Sequence, residues 1–394
     1  MKNFIFISFV IFIQLFIAVR SRAIDSKEVS IIYEHSFELE KYKGRKNDEW
    51  EVENLEVEVD TPENNIIKRM ALEDDEEFEA KIQELANISE EKGDEEEIVD
   101  EVPNEFPHPD DRLVKRASIS SSEYFRSQLS SFEKKIYDAV NNIFNKSTIS
   151  TLVTELKGIE SFKIKKANIQ TYSSKGVGAI VRDHPEYWWI KKYNISYSTK
   201  GGYLTKLSLT INSGYSISQI NSYKAKVKSK ATSIATAAKK KSGTYNRLLY
   251  IHDYLVKYIK YKDGADYSYN IYGALLKNSC ACEGYAESFA YISRLISVPT
   301  ICVSSSSHKW NYVYIKKWYA VDVTFDDPTV NGVTYSSGDS KNLSHKFFLV
   351  GSNTVIKKDK TYTTYSNRKL VSYLEFPSAT GFKYPTLSTT AYQP

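Results

Sequence analysis

Three residues in the second half of the chain have the types and the order that thiol catalysis requires. Cys282 begins the segment CEGYA at positions 282–286, His308 precedes an alternating aromatic segment, and Asp322 lies near the end of a second one. A thiolate is a strong nucleophile, an imidazole can take its proton near neutral pH, and a carboxylate can orient that imidazole. Together the three side chains predict nucleophilic catalysis through a covalent thioester.

The element expected to carry Cys282 is an amphipathic helix. Its apolar residues recur at intervals of three and four, at Tyr285, Phe289, Ile292 and Leu295 or Ile296. Cys282 therefore lies in the first turn, where unpaired backbone N–H groups and the helix dipole favour a thiolate by about 0.3–1 kcal/mol. The small residues Gly284 and Ala286 leave room in this turn for a substrate to approach.

His308 and Asp322 are expected on two strands of one hairpin. Trp310, Tyr312 and Tyr314 alternate with other residues, and the second strand covers positions 318–323. Because side chains alternate between the two faces of a sheet, a two-residue loop would place Asp322 on the face opposite His308. The sequence therefore predicts an odd loop over 315–317, or a bulge, which pairs Asp322 with Trp310.

The beginning of the chain has the pattern of a secretory signal peptide. Residues 1–23 combine a basic start, an apolar run over 4–19 and a small residue, Ala23, at the expected cleavage point. The alternative is an uncleaved membrane anchor, but this run is shorter than the roughly 20 residues that a spanning helix needs. We therefore expect a secreted, extracellular protein that meets a membrane only during export.

Charge divides the remaining chain into two parts. Residues 25–116 contain 31 acidic and 12 basic residues, a net charge of −19, whereas residues 117–394 contain 18 acidic and 38 basic residues, a net charge of +20. We interpret residues 24–116 as an acidic, largely disordered propeptide that ends at the dibasic pair Lys115-Arg116. A solvated acidic tail that is never removed is the alternative, since Lys68-Arg69 is a second dibasic pair.

The charge distribution also indicates binding partners. The acidic propeptide is expected to lie against the basic region before cleavage, and the free basic region would be attracted to anionic extracellular matrix or cell wall. Nucleic acid is not expected, because the lysines between Lys224 and Lys241 have no aromatic stacking residue among them. Sequons at Asn145, Asn194 and Asn342 predict a glycoprotein.

The chain has three cysteines, and in a secreted protein cysteines usually pair. Three cannot all pair within one chain, so at least one remains a thiol. Cys280 and Cys282 are too close in sequence for easy bridging, while a Cys280–Cys302 disulfide would leave Cys282 free. The connectivity itself cannot be deduced from the sequence.

Periodicity divides the basic part into two predicted modules. Residues 117–240 are expected to form a smaller α+β module, with a helix over 120–145, strands within 163–211 and a helix over 223–240. Residues 241–394 are expected to form the catalytic domain, which begins with a helix over 242–260. Asp326 and Asp327 are more consistent with a strand end than with a calcium loop, so no metal site is predicted.

These segments together resemble the transglutaminase-like superfamily, in particular its secreted microbial members. The resemblance rests on CEGYA at 282–286, HKWN at 308–311 and WYAVDVTFDDP at 318–328. Flanking pieces agree, namely DHPEYW at 183–188, IHDYL at 251–255, YGAL at 272–275 and FFLV at 347–350. The likeness extends over most of residues 120–384.

The resemblance implies Cys282 as nucleophile, His308 as base and Asp322 as orienting residue on a papain-like α+β core, without a cofactor. It implies acyl transfer from protein amides, as glutamine cross-linking or deamidation, with a protein or peptide as substrate. Trp310, Tyr285 and Tyr272 are expected to contact that substrate. Two alternatives remain open, a cysteine peptidase or amidase of the same fold and a non-catalytic matrix-binding module.

The oxyanion-stabilising groups are only half assigned. The backbone N–H of Cys282 is expected to be one donor, and the hydroxyl of Tyr261 or Tyr272 is a candidate for the other.

Overall fold

The structure is a computed structural model that describes residues 51–58, 123–264, 267–305, 307–327, 343–365, 368–371 and 382–394. The predicted signal peptide, most of the acidic segment, the Lys115-Arg116 junction and Asn342 lie outside the described residues. Within these ranges, no helix combines the length and the apolar character needed to span a membrane.

Two helices pack together at the start of the basic region. Helix α1 spans Ser131–Phe144 and begins at a capping box in which Ser130 and Glu133 bond each other's backbone N–H. The sequence placed this start eleven residues too early, because the serines at 120–122 are equally good caps. Helix α2, Ile169–Asp183, was not predicted. A Cβ at Gly176 would lie 2.8 Å from a methyl carbon of Ile136, so this glycine permits close helix contact.

Four strands form an antiparallel sheet beside these helices, in the order β1-β3-β4-β2. Their bounds are β1 Glu51–Glu58, β2 Val153–Leu156, β3 Lys192–Lys200 and β4 Tyr203–Asn212. Strands β3 and β4 bury alternate side chains, as the period-two pattern of the sequence predicts. Strand β1 was not predicted, since it lies in the segment interpreted as a propeptide, and it pairs with the edge of β3.

Two consecutive helices confirm the helical interpretation of the lysine-rich region. Helix α3 spans Ile217–Lys239 and helix α4 spans Gly243–Tyr258. The inner residues of α4, including Leu248, Ile251 and Leu255, are fully buried. The main hydrophobic cluster contains residues from both sides of the predicted module boundary at residues 240 and 241.

The region around the candidate catalytic residues consists of one helix and a three-stranded antiparallel sheet. Helix α5 spans Cys282–Leu295 and confirms the predicted helix. The sheet has the order β7-β8-β9, with β7 Thr300–Ser304, β8 Lys309–Ile315 and β9 Lys317–Val321. Two short pairs complete the described strands. Strand β5, Lys260–Tyr261, is parallel to β6, Ser279–Cys280, and strand β10, Val355–Lys357, is antiparallel to β11, Lys360–Thr361.

The described residues thus form a mixed protein of helices and small, mostly antiparallel sheets. This agrees with the predicted α+β class.

Candidate active site

Cys282 is the first residue of helix α5. The N-cap residue Ala281 is extended and provides no side-chain cap, so the first turn presents its backbone N–H groups without a competing side chain from that residue. The Cys282 side chain is 5% exposed. A thiol in this position lies at the positive end of the helix dipole, which stabilises the negatively charged thiolate.

A buried carboxyl group holds the thiol of Cys282. The Sγ atom lies 3.1 Å from Oε2 of Glu283, a residue with no exposed surface. Sequence reasoning did not assign Glu283 a role, although it belongs to the same motif. A carboxylate that accepts the S–H proton stabilises the neutral thiol, so Glu283 opposes the helix dipole in this state.

His308 and Asp322 form a direct buried pair. The Nε2 atom of His308 lies 2.7 Å from Oδ2 of Asp322, and both side chains are almost inaccessible to solvent. Bonding through Nε2 fixes the ring and leaves Nδ1 as the nitrogen that can exchange a proton with a thiol.

The hairpin loop has an odd number of residues, as predicted, but only Lys316 lies between paired residues, where a three-residue loop over 315–317 or a bulge was expected. Strands β8 and β9 pair Tyr314 with Trp318 and Ile315 with Lys317, around Lys316 in a left-handed conformation. The register contains no shift, and extending it by one pair places Asp322 opposite Trp310. The prediction from side-chain alternation is therefore confirmed.

Arg368 is a third member of the His308–Asp322 group, and sequence reasoning missed it. Its Nη1 atom donates to Oδ2 of Asp322 at 2.6 Å. The guanidinium carbon lies 4.6–5.1 Å from the centroids of four aromatic rings, those of Trp310, Phe325, Phe347 and Tyr362. Ring faces stabilise a desolvated guanidinium, and they surround the Nε and Nη2 atoms, which have no hydrogen-bond partner among the described residues.

Helix α5 is connected to the sheet by polar contacts close to Cys282. The side-chain amide of Asn311 donates to the Ala286 carbonyl at 2.8 Å, and Lys309 forms a 3.1 Å ion pair with Glu287. Cys282 lies one helical turn before Ala286 and therefore on the same helix face. These contacts join the helix of Cys282 to the strand that follows His308.

The charge on Asp322 depends on its two cationic neighbours. Burial raises the pKa of Asp322, but the charges and hydrogen bonds of His308 and Arg368 outweigh this effect and lower the pKa to about 2. Because the folded pKa lies below the unfolded one, this contribution is present above pH 4 and is lost as the pH falls through 2.

A pH series should detect this contribution. We expect Asp322 to stabilise the fold by about 2 kcal/mol more at pH 5 than at pH 2. The measurement is the free energy of unfolding in urea at several pH values, for the natural protein and for Asp322→Asn. The difference between the two should shrink towards pH 2, and a difference that does not change with pH would contradict the assignment.

The other two cysteines are buried and inert in this structure. All three cysteines are free thiols, so the conceivable Cys280–Cys302 disulfide is absent. Burial raises the pKa of the Cys280 thiol well above its usual value and that of Cys302 to about 11. Gly284 makes the position of Cys280 possible, since a Cβ there would lie 2.7 Å from the Cys280 sulfur.

Alkylation should therefore be selective. Iodoacetamide at neutral pH should modify Cys282 first, because the helix N-terminus and His308 favour its thiolate, whereas burial raises the pKa of the Cys280 and Cys302 thiols. Peptide mapping by mass spectrometry over time gives the three rates separately, and His308→Ala should slow only the rate at Cys282. Equal rates at all three thiols in the folded protein would contradict a special environment at Cys282.

The two tyrosines predicted as alternative oxyanion donors, Tyr261 and Tyr272, have different surroundings. Burial, together with the charges of Cys282 and Asp263, raises the pKa of Tyr261 well above its usual value, so its hydroxyl keeps its proton at neutral pH. Tyr272 instead packs in an aromatic group, 5.1 Å from the ring of Trp188 and 4.9 Å from that of Tyr223. The role of either hydroxyl as an oxyanion donor stays a prediction.

Trp310 and Tyr285 support the site from its interior. Trp310 is 1% exposed and stacks on His308 at 5.5 Å, and Tyr285 has no exposed surface. The Tyr285 hydroxyl donates towards Ile259 O at 2.9 Å and contacts Asp327 at 2.5 Å. Direct contact of either residue with a substrate stays a prediction, as does that of Tyr272.

The fold and the site define a mixed α+β protein in which a buried imidazole–carboxylate pair lies on the sheet packed against the helix of Cys282. No model of a known protein family matches the chain, and no curated protein matches it. The crystal structure of a TGase is similar to part of the protein, at 15% sequence identity and a TM-score of 0.25. The alignment covers 39% of this chain and 48% of the TGase chain. The chain thus spans about half of that structure's length.

Proposed function

We propose that the protein is a secreted, transglutaminase-like cysteine enzyme that transfers acyl groups from protein amides. The observation that carries the proposal is the buried 2.7 Å contact between His308 and Asp322 on the sheet that packs against the helix of Cys282. The buried Arg368 bonds the same carboxylate and so holds the pair in place.

The first half-reaction forms a thioester. His308 takes the proton of Cys282 through Nδ1, and the thiolate attacks the carbonyl carbon of a glutamine side chain or a peptide bond. The C–S bond forms, the C–N bond breaks, and His308 returns the proton to the departing ammonia or amine. The backbone N–H of Cys282 and the hydroxyl of Tyr261 are the proposed donors to the oxyanion.

The second half-reaction releases the acyl group. His308 takes a proton from a lysine amine or from water, the new nucleophile attacks the thioester carbonyl, and the Cys282 thiolate leaves. An amine acceptor gives a cross-link, and water gives deamidation or peptide hydrolysis. Asp322 stabilises imidazolium in both halves, with Arg368 holding the carboxylate in place.

Product analysis tests the function. The basic region is incubated with a glutamine peptide, an amine and a plain peptide, and the products are identified by mass spectrometry. Amine incorporation indicates a transferase, a glutamate product a deamidase, and a shortened peptide a peptidase. The absence of all three products, together with slow Cys282 alkylation, would favour the matrix-binding alternative that the basic charge supports.

Processing is a separate prediction, based on the change from acidic to basic composition at Lys115-Arg116. We expect the secreted, active form to begin at Ala117, because the dibasic pair ends the acidic segment. N-terminal sequencing of active secreted protein measures this directly. Fully active protein that begins near Asp25 would contradict the zymogen hypothesis. The same conclusion would follow if the double variant Lys115→Ala/Arg116→Ala were secreted with full activity.

A further inference from the structure

Three potential metal ligands converge at the surface of helix α4, away from the proposed triad. Nδ1 of His252 lies 3.1 Å from Oδ1 of Asp253, and Nε2 of His345 lies 2.8 Å from the same oxygen. The three ligand atoms lie within 4.8 Å of one another. The His252 side chain is fully buried, whereas that of His345 is 42% exposed, so the cluster reaches solvent on one side.

The second nitrogen of His252 has a fixed acceptor behind it. Nε2 lies 3.1 Å from Oδ2 of Asp326, a fully buried carboxylate. The other oxygen of Asp326 accepts hydrogen bonds from the hydroxyl of Ser344 and the backbone N–H of Phe347, both at 3.0 Å. Ionised Asp326 accepts from His252, which assigns a proton to Nε2.

Nδ1 is then the nitrogen that faces Asp253, and it carries either a second proton or, if that proton is displaced, a metal ion. A lone pair and a carboxylate oxygen 3.1 Å apart repel each other unless a proton or a metal cation lies between them. Histidines that bind metals commonly donate their other ring N–H to a carboxylate, as His252 does to Asp326.

The dimensions suit a small divalent ion. Zn²⁺ binds nitrogen and oxygen at about 2.0–2.2 Å, so tetrahedral ligand atoms stand about 3.3 Å apart. The distances of 2.8 Å and 3.1 Å to Asp253 are within about half an ångström of that value, and the exposed ring of His345 can withdraw to reach it. Two neutral imidazoles and one carboxylate are typical zinc ligands.

We propose that His252, Asp253 and His345 bind a divalent transition-metal ion, with Zn²⁺ as the best match, and leave a fourth position to solvent. Asp326 is the supporting carboxylate that orients His252. The inference is independent of the proposed function, since none of these residues belongs to the triad.

A metal ion at this site would connect helix α4 with the segment around His345, which contacts the backbone of Asp322. His252 and Asp253 lie on α4, and His345 is two residues before Phe347, whose carbonyl accepts from the backbone N–H of Asp322 at 3.1 Å. An ion bridging α4 and His345 would restrain the segment that holds Asp322. Binding to the folded state alone would also raise the unfolding temperature.

Titration of the purified full chain with Zn²⁺ tests the proposal. The background is Cys282→Ala, which removes the thiol as a competing ligand, and the protein is first freed of metal with a chelator. Calorimetry should give one ion per chain, and His345→Ala or Asp253→Ala should weaken binding at least tenfold. Asp326→Asn should weaken it about 10–100-fold, as loss of a supporting carboxylate does. Co²⁺ gives a second readout through its visible absorption.

His184→Ala is the matched control, because His184 pairs with a carboxylate, Glu186, but lies in no three-ligand cluster of the described residues. It should bind Zn²⁺ as the background protein does. The proposal is wrong if the background protein binds no ion, or if His345→Ala binds it as tightly. Binding that is present in the natural protein and lost in Cys282→Ala would place the ion at the thiol and would also overturn it.

Discussion

Cys282→Ala should abolish turnover, with a loss on the order of 10⁵–10⁶-fold. The proposed mechanism needs a thioester, and the other two thiols are enclosed and held neutral by burial. The fold should survive, because the substitution removes one sulfur atom at the first residue of helix α5. The measurement is amine incorporation, ammonia release and peptide cleavage by the same preparation, with circular dichroism to verify folding.

Cys280→Ser is the control for this substitution, since it removes a thiol of the same region without removing the nucleophile. It should leave most of the activity intact. His308→Ala should cause a loss comparable to that of Cys282→Ala, and Asp322→Ala a smaller one, because Asp322 orients the ring and transfers no proton itself. If Cys282→Ala retained amidase or cross-linking activity, the enzymatic proposal would be wrong.

Arg368→Leu should destabilise the fold by about 3–5 kcal/mol, because it removes the guanidinium that compensates the charge of a buried carboxylate. Asp322 would still bond His308, but its negative charge would be less well compensated. Turnover should also fall, since a higher pKa of Asp322 and a looser carboxylate reduce its ability to stabilise imidazolium. Urea unfolding measures the free energy, and product analysis measures the rate.

Arg368→Lys is the matched variant, because it keeps the charge and loses the planar group that lies among four aromatic rings. It should be intermediate in stability. In the double variant Arg368→Leu/Asp322→Asn the buried charge is absent, so the two losses should not add. Losses that are fully additive would show that Arg368 does not act through Asp322.

Local periodicity predicted the site elements well. The spacing of Tyr285, Phe289 and Ile292 identified helix α5, because apolar residues at intervals of three and four match the period of an α-helix. Alternation in β8 and β9 predicted even the loop parity, since one residue more or less reverses every side chain of a strand.

Contacts between residues distant in sequence could not be predicted from local patterns. Arg368 lies 46 residues beyond Asp322 with no motif around it, so no local pattern connects the two. His345 likewise meets Asp253 from 92 residues away. Helix α2 was missed because its glycines and serines are poor helix formers, and tertiary packing against α1 compensates for them.

Strand β1 has a consequence for synthesis on the ribosome. Its partner β3 follows about 130 residues later, and at roughly 5–20 residues per second that delay is about 7–26 s. Strands β3 and β4 need only a short turn to pair and can do so as soon as they emerge. Strand β1 is therefore made long before its partner, and until the two pair, the hydrogen-bonding edge of β3 is open to a strand from another nascent chain.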